Sequence, residues 1–349
     1  MQRKNIPTIV LGGSGYVASE LVGLLMGHPS FRVEHVVSTS HAGERISDHF
    51  PHLAGPIEDR VFSSKEEIQE RLSDKRQLAL FSALPHGETA SLLAGIMDQS
   101  PSAKIVDVSA DFRLRTADEY QRIYGHTHPS PEKINQFYFG LPDLSPAVDT
   151  NYISHPGCFS TGVSLALAPL TAYGLIHPRV SVSSVTGSTG AGKNPGAGTH
   201  HPHRQSSMWA YQPLVHRHLP EIELLTARGG ESLNISFVPH SGPFSRGIHS
   251  TVFAQLQDVT SIETLISLYQ RQYERSSFVK VGPEMPRLKD VVGTNRCHIG
   301  IAVQGDQVIV TSVIDNLVKG AAGGAIQWMN RLFGIAEEEG LHYAVPGWI

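Results

Sequence analysis

Residues 6–16, Ile-Pro-Thr-Ile-Val-Leu-Gly-Gly-Ser-Gly-Tyr, constrain the fold of this chain more than any other stretch. The first six are an apolar run of the length expected for a strand buried on both faces. A glycine turn follows at Gly12–Gly15, and an amphipathic pattern then runs from Tyr16 to Gly27. Strand, glycine turn and helix in that order is the setting a dinucleotide loop requires. Gly12 suits a tight turn, and Gly15 lets the backbone approach a pyrophosphate at the helix N-terminus. Ser14, Tyr16 and Val17 belong to the same loop, and Ala18 is the small residue where the helix packs on the strand. An ordinary glycine turn after a strand is the plain alternative.

The rhythm continues through the first half. Strands are expected at Phe31–Ser38, Gln77–Ala83 and Lys104–Ser109, with helix pattern in Glu88–Met97, and residues 116–150 read as irregular connection. Alternating strands and helices argue for a parallel sheet covered on both faces. After Cys158 the pattern changes. Val180–Thr186, Asn234–Pro239, His249–Gln255, His298–Val303 and Gln307–Ile314 are strand-like, whereas Asp258–Arg275 and Lys319–Phe333 read as helices. Gln304-Gly305-Asp306 between the last two strands is a hairpin signal. The expected fold class is therefore an α/β Rossmann domain followed by an α+β domain with a mixed or antiparallel sheet. The most irregular stretch, 187–221, is rich in glycine, proline and histidine, and long structureless connections are often functional.

Composition excludes several classes. The net charge of −4 and the absence of any Lys/Arg run leave no footprint for nucleic acid. No apolar run approaches the ~18 residues of a membrane span, and the N-terminus lacks the apolar core of a signal peptide. Two cysteines cannot build a disulfide framework, so a reducing, cytoplasmic setting is expected.

The end of the second strand bears on the cofactor. An NAD site usually carries an acid there for the ribose 2′-hydroxyl. Here Ser38, Thr39, Ser40, His41 and Arg45 fill that place. Hydroxyls and a guanidinium suit a 2′-phosphate, so the expected cofactor is NADP.

Cys158 stands behind Pro156-Gly157 at the start of a long apolar segment. As a plain residue it is a small buried hydrophobe. As a nucleophile it sits at the N-terminus of a helix beginning near Ser160, where backbone N–H groups and the helix dipole favour a thiolate. Cys297, beside a strand in Asn295-Arg296-Cys297-His298, is read as structural. A thiolate nucleophile needs an acid–base partner, and His216-Arg217-His218 with Glu221 nearby is the densest candidate. His216 and His218 would share one face if the segment is extended. His218 is the expected proton carrier because Glu221 can orient it, with His216 positioning the substrate. Arg217 and Glu221 are substrate-binding candidates. So are Arg113, in Ser109-Ala110-Asp111-Phe112-Arg113, and Ser188 and Lys193, in the anion nest Ser188-Thr189-Gly190-Ala191-Gly192-Lys193. His200, His201 and His203 raise a metal alternative, but no cysteine and no helical His-x₃-His spacing accompanies them, so no metal is expected.

Seven motifs occur in order: Gly12-Gly13-Ser14-Gly15-Tyr16, Ala83-Leu84-Pro85-His86-Gly87, Asp107 through Arg113, His155-Pro156-Gly157-Cys158, His216 through Ile222, Arg246-Gly247-Ile248 and Asp315 through Gly320. In this the chain resembles the N-acetyl-gamma-glutamyl-phosphate reductases of arginine biosynthesis, and more widely aspartate-semialdehyde and glyceraldehyde-3-phosphate dehydrogenases. The resemblance implies an NADPH-binding Rossmann domain, residues 1–155, completed by a final helix, 318–349, that returns to it. It implies a catalytic and oligomerisation domain, residues 156–317. Cys158 matches the family's nucleophile, and the His-Arg-His segment supplies its acid–base residue. Pro85, Gly190 and Asn316 fall on the cofactor side of the matched motifs. The expected reaction is NADPH-dependent reduction of N-acetyl-L-glutamyl 5-phosphate through a Cys158 thioester, by a homodimer or homotetramer.

Three departures fall at the expected substrate pocket. The family more often has Asn-Pro-Gly-Cys-Tyr-Pro-Thr, where this chain has His155, Phe159 and Ser160. The common Ser-Gly-Ala-Gly-Arg is replaced by Ser188-Thr189-Gly190-Ala191-Gly192-Lys193, and residues 193–215 are rich in histidine. The competing readings are a paralogue acting on carrier-linked aminoadipyl phosphate and, in a different class, a nucleotide-sensing protein without catalysis.

Overall fold

A computed structural model describes residues 5–345 except 56, 58, 74–76, 228, 230 and 231, with the side chain of Glu70 also left aside. The chain divides into two compact units. The first comprises Met1–Gly140, Ala147–His155 and Ala322–His342; the second comprises Leu141–Pro146, Pro156–Ala321 and Tyr343–Ile349.

The first unit is built on six strands, β1 (Ile6–Leu11), β2 (Phe31–Val37), β3 (Ala79–Ser82), β4 (Lys104–Asp107), β5 (Tyr138–Phe139) and β6 (Tyr152–Ser154). They pair in the order β2-β1-β3-β4-β6-β5, all parallel. Every residue of β1 is buried, as its unbroken apolar run requires. The helices are α1 (Tyr16–Met26), α2 (Ile46–His49), α3 (Gln69–Ser73), α4 (Thr89–Gln99) and α5 (Ala117–Tyr124). Ile9, Leu11, Leu80, Leu93 and Ile105 lie at the centre of one core cluster. The irregular reading of 116–150 is corrected: α5 is capped by Thr116, whose Oγ1 accepts from the Glu119 N–H at 3.1 Å. Only Tyr120 of that helix is buried, so its apolar stripe is too thin to show in the sequence.

The second unit contains α6 (Cys158–Ala172), β7 (Arg179–Thr186), α7 (His201–Arg204), β8 (Trp209–Ala210), α8 (Leu219–Thr226), β9 (Asn234–Ser241), β10 (Ile248–Gln255), α9 (Ile262–Gln272), β11 (Val279–Gly282), β12 (Cys297–Gln304) and β13 (Gln307–Ile314). The seven strands form a mixed sheet in the order β11-β12-β13-β10-β7-β9-β8. Across its middle Val182, Val252 and Val310 are paired neighbours and all point into the core. The next positions along, Ser181, Phe253 and Ile309, are also paired and point away from it. α6 lies on the core side and is buried from Phe159 to Thr171. Ser312 Oγ, Tyr269 Oη and Tyr273 Oη donate to the carbonyls of Gly162, Ala166 and Leu165. A helix apolar all round must be enclosed in this way.

Helix α9 is shorter than expected, because Ser261 caps it by accepting from the Thr264 N–H. The expected final helix is also corrected. Val318–Ala322 is a π turn, and α10 (Gly323–Leu332) follows. The Ile335 N–H returns to the Asn330 carbonyl at 2.8 Å and ends the helix. Residues 346–349 of the expected span lie outside the described residues. Among the described residues no helix is long and apolar enough to cross a membrane.

Candidate active site

Cys158 is the first residue of α6, with Gly157 as its N-cap. The expectation of a start near Ser160 therefore placed the thiol two residues too far from the helix. No side chain caps the turn, and the first N–H groups of a helix have no intrahelical partner. Negative charge on or near the sulfur is stabilised there. Cys158 is half-buried, whereas Cys297 is enclosed and burial pushes its thiol up to about 12.

The N-terminus of α8 meets that of α6. Glu221, in the first turn of α8, is fully buried and its Oε2 accepts from the Gly157 N–H and from Ser160 Oγ, both at 2.7 Å. The carboxylate therefore holds the entry to α6 in place. It does not face solvent, which corrects its reading as a substrate contact. His218 is the N-cap of α8. Its ring lies flat against Gly157: a methyl on that glycine would stand 2.3 Å from His218 Nε2. One imidazole nitrogen is thus brought to the residue adjoining the thiol.

The segment carrying the two histidines is not extended. Gln212 and Leu214 have left-handed φ values of 45° and 65°, and His218 is helical. The rings still converge, with centroids 4.7 Å apart, because the turn folds them together. Non-glycine residues with positive φ are uncommon and gather at functional sites. Among the described residues the others are limited to Ser206, in the same segment. His216 Nδ1 accepts from the His218 N–H at 3.2 Å. Its ring sits among Phe159, Phe237 and Tyr211. Burial, and then the Arg217 charge, push its pKa down to about 4. Phe159 and Ser160, two of the departures, are accounted for: one packs on both histidines and the other donates to Glu221.

Beside this group a cavity of about 510 Å³ is lined by Gly190, Ala191, Tyr211, His216 and Arg217, among others. Arg217 is exposed and Lys193 is exposed, so both are free to meet an anion. Lys193 and Ser188 are not among the lining residues, although their neighbours are. Tyr211, unforeseen from the sequence, has its hydroxyl pKa raised by burial and by the nearby Cys158, an effect Arg217 opposes. Nothing in its spacing marks it, because its neighbours come from α6 and from the turn before α8. A larger hollow of about 970 Å³, lined by Lys280, Glu284, Arg287 and His298, holds none of these groups.

Two other expected contacts turn inward. Asn316 is buried, its Oδ1 accepting from the Gly247 N–H and its Nδ2 donating to Thr189 Oγ1. Asp315 beside it takes both Nε and Nη2 of Arg246. The β10–β13 pairing of Ile248 with Ile314 brings these two motifs together. In the first unit Arg113 is buried and donates to the Val108 carbonyl at 2.7 Å. Asp111 accepts from the Gly87, Thr89 and Ala90 N–H groups and caps α4. These motifs build the frame and do not line the cavity.

The loop after β1 fits a dinucleotide. Gly12 has φ 80°, and a methyl there would lie 2.6 Å from the Ala83 backbone, so only glycine makes this turn. At Gly15 the corresponding space is open, with the nearest atom 3.9 Å away. Gly15 caps α1 without a side-chain bond, and no acid occupies the first turn, leaving a cradle for a pyrophosphate. Tyr16, partly exposed, follows, with Val17 beyond it. After β2, Ser38 Oγ lies 3.5 Å from Ser40 Oγ, and Arg45 is exposed. Pro85 is exposed after β3.

Residues 8–149 match the family model of the semialdehyde dehydrogenase NAD-binding domain, and residues 158–316 that of the semialdehyde dehydrogenase dimerisation domain. An N-acetyl-gamma-glutamyl-phosphate reductase of Pseudomonas aeruginosa strain PAO1 is 39% identical over 344 residues, covering 96% of this chain and 97% of its own. One from Methanosarcina acetivorans is 39% identical over 337 residues, covering 95% and 97%. Among solved structures, aspartate semialdehyde dehydrogenase II of Vibrio cholerae complexed with ASA superposes with a TM-score of 0.69 at 14% identity, over 95% of this chain and 99% of that one. Aspartate semialdehyde dehydrogenase with NADP from Candida albicans gives 0.68 at 15%, over 96% and 99%.

Proposed function

The chain belongs to the N-acetyl-gamma-glutamyl-phosphate reductase family, and from that membership we propose that it reduces N-acetyl-L-glutamyl 5-phosphate to the 5-semialdehyde with NADPH. The observation that carries the reading is a half-buried thiol at a helix N-terminus with His218 Nε2 against the preceding residue.

Each residue then has a task. His218 accepts the Cys158 proton, and the thiolate attacks the acyl-phosphate carbonyl. The C–S bond forms, the bond to phosphate oxygen breaks and phosphate leaves. N–H groups at the start of α6 hold the oxyanion of the tetrahedral species. When bound, NADPH supplies the hydride that reduces the resulting thioester. His218 lends its proton to the new oxyanion and takes it back as the C–S bond breaks, which returns the thiolate and releases the aldehyde. Arg217, with Ser188 and Lys193 nearby, receives the substrate's anionic groups in the cavity. Glu221, Asn316 and Arg113 position the residues around them. On the cofactor side Gly12, Ser14, Gly15, Tyr16 and Val17 take the pyrophosphate. Ser38, Ser40 and Arg45 take the 2′-phosphate, and Pro85 and Gly190 border the cofactor. The first unit serves as the cofactor domain and the second as the catalytic and oligomerisation domain of a cytoplasmic homo-oligomer.

The carrier-linked aminoadipyl reading is not favoured, since relatives at 37–39% identity bear the glutamyl-phosphate name. The test is the reverse reaction: NADP reduction with N-acetylglutamate semialdehyde and phosphate, beside the aminoadipyl aldehyde and NAD. The glutamyl aldehyde with NADP should win. Iodoacetamide should label Cys158 and spare Cys297. Cys158→Ser should fold and lose turnover, because an unassisted hydroxyl is a far weaker nucleophile. More than roughly a tenth of the activity surviving in that variant would rule out the thioester route.

A further inference from the structure

The loop after β2 is closed by three side chains. His41 Nδ1 stands 3.1 Å from Glu44 Oε2, and His49 Nε2 stands 2.5 Å from the same oxygen. The imidazole centroids are 4.1 Å apart, and one ligand atom from each residue lies within 4.8 Å of the other two. From this geometry we propose that His41, Glu44 and His49 form a binding site for a divalent transition-metal ion of the zinc type. The site shares its loop with Ser38, Ser40 and Arg45 but uses none of those three side chains.

The donor set selects the ion. Two imidazoles and one carboxylate suit zinc, cobalt or nickel, whereas calcium and magnesium prefer all-oxygen shells. Zinc bonds of about 2.0–2.2 Å at tetrahedral angles put ligand atoms about 3.3 Å apart. The two spacings to Glu44 Oε2, 3.1 and 2.5 Å, fall below that value, so small ring rotations that open them would bring the ligands to it. Three protein ligands leave one position for water, as in open zinc sites. The side chains are 27%, 53% and 20% exposed, so an ion reaches them from solvent.

The ligands are held by the frame. The Glu44 carbonyl accepts from the Phe62 N–H, the Gly43 N–H donates to the Phe62 carbonyl, and the Ile46 N–H donates to Arg60. Arg45 bridges Val61. Glu44 thus rides on a short antiparallel ladder. His41 lies in the turn that the Glu44 N–H closes by donating to its carbonyl, and His49 ends α2. Both rings lean on the buried Phe62, with centroids at 6.2 and 5.4 Å. The plain alternative is a hydrogen-bonded staple that never takes an ion, and the two predict opposite outcomes.

The full chain is stripped with a chelator and titrated with zinc alone against a chromophoric chelator. Cys158→Ser removes the thiolate as a competing ligand. One equivalent should bind in the wild type and in Cys158→Ser, and should survive His200→Gln/His203→Gln. His41→Gln/His49→Gln should weaken it at least about tenfold. Cobalt in the site should show four-coordinate ligand-field bands without a thiolate charge-transfer band. Zinc affinity unchanged in His41→Gln/His49→Gln, or a thiolate band in Cys158→Ser-sensitive form, would overturn the proposal. If the double variant melts early in chelator, Glu44→Ala replaces it, and unchanged affinity there is equally fatal.

Discussion

The two histidines before α8 look alike in sequence and differ in what surrounds them. His216 is enclosed by aromatic rings and held neutral, its pKa pushed down to about 4 by burial first and Arg217 second. A depressed imidazole pKa contributes stability that is present above the ordinary 6.5 and is lost as pH falls through 4. Near neutral pH it is therefore uncharged. His218, lying against Gly157, is the residue we propose to move the proton. His218→Asn should lower kcat by about 10²–10⁴ with little change in KM, and should remove one limb of the pH–rate profile. His216→Asn should raise KM and leave both limbs in place. Profiles with the reverse pattern would exchange the roles. The sequence made Cys158 and this pair legible, since scarce thiols and paired histidines stand out. It hid Glu221's task, because the groups it holds, Gly157 and Ser160, are 64 and 61 residues away.

At the scale of the element, most of β1 through β4 and β13 was readable because buried strands and hairpins announce themselves in a few residues. α5 was not, with one buried side chain, and neither was the end of α10, which is set by backbone bonds. β4 ends in a residue whose behaviour only the fold explains. Asp107 is fully buried, and burial raises its carboxyl to about 6 against hydrogen bonds from Ser109 that pull the other way. A carboxyl whose folded pKa exceeds its ordinary 3.8 favours the fold at low pH and loses that contribution as pH rises through about 6. The stability of the wild type relative to Asp107→Asn should therefore fall by roughly 3 kcal/mol between pH 3 and pH 7. Urea unfolding at a series of pH values measures it. A difference independent of pH would show that the carboxyl is not held neutral.

For the whole molecule, the mixed sheet of the second unit leaves one face away from its own core. Ser181, Phe253 and Ile309 run across it, and Phe253 is 45% exposed. A large aromatic on a flat strand face is the kind of group interfaces bury. The net charge of −4 is too small to oppose self-association. We expect this face to meet a second copy. Phe253→Glu should shift the sedimentation coefficient toward the monomer while leaving far-UV circular dichroism unchanged. Unaltered sedimentation would move the interface elsewhere. The division into a parallel and a mixed sheet was legible from the change in rhythm after Cys158, whereas the outward strip needed the register.

Cys158 also has a neighbour on its other side: a methyl on Gly320 would come within 2.7 Å of its Cβ, as one on Gly157 would collide with His218. Cys158 and His218 are therefore packed against two positions that have room for no side chain. Such a site is fragile in an unusual direction. Enlarging its neighbours by a single carbon threatens it, although neither glycine has any chemistry to lose. Ranking positions by reactive groups alone would pass over both, although a larger residue at either would press on Cys158 or His218.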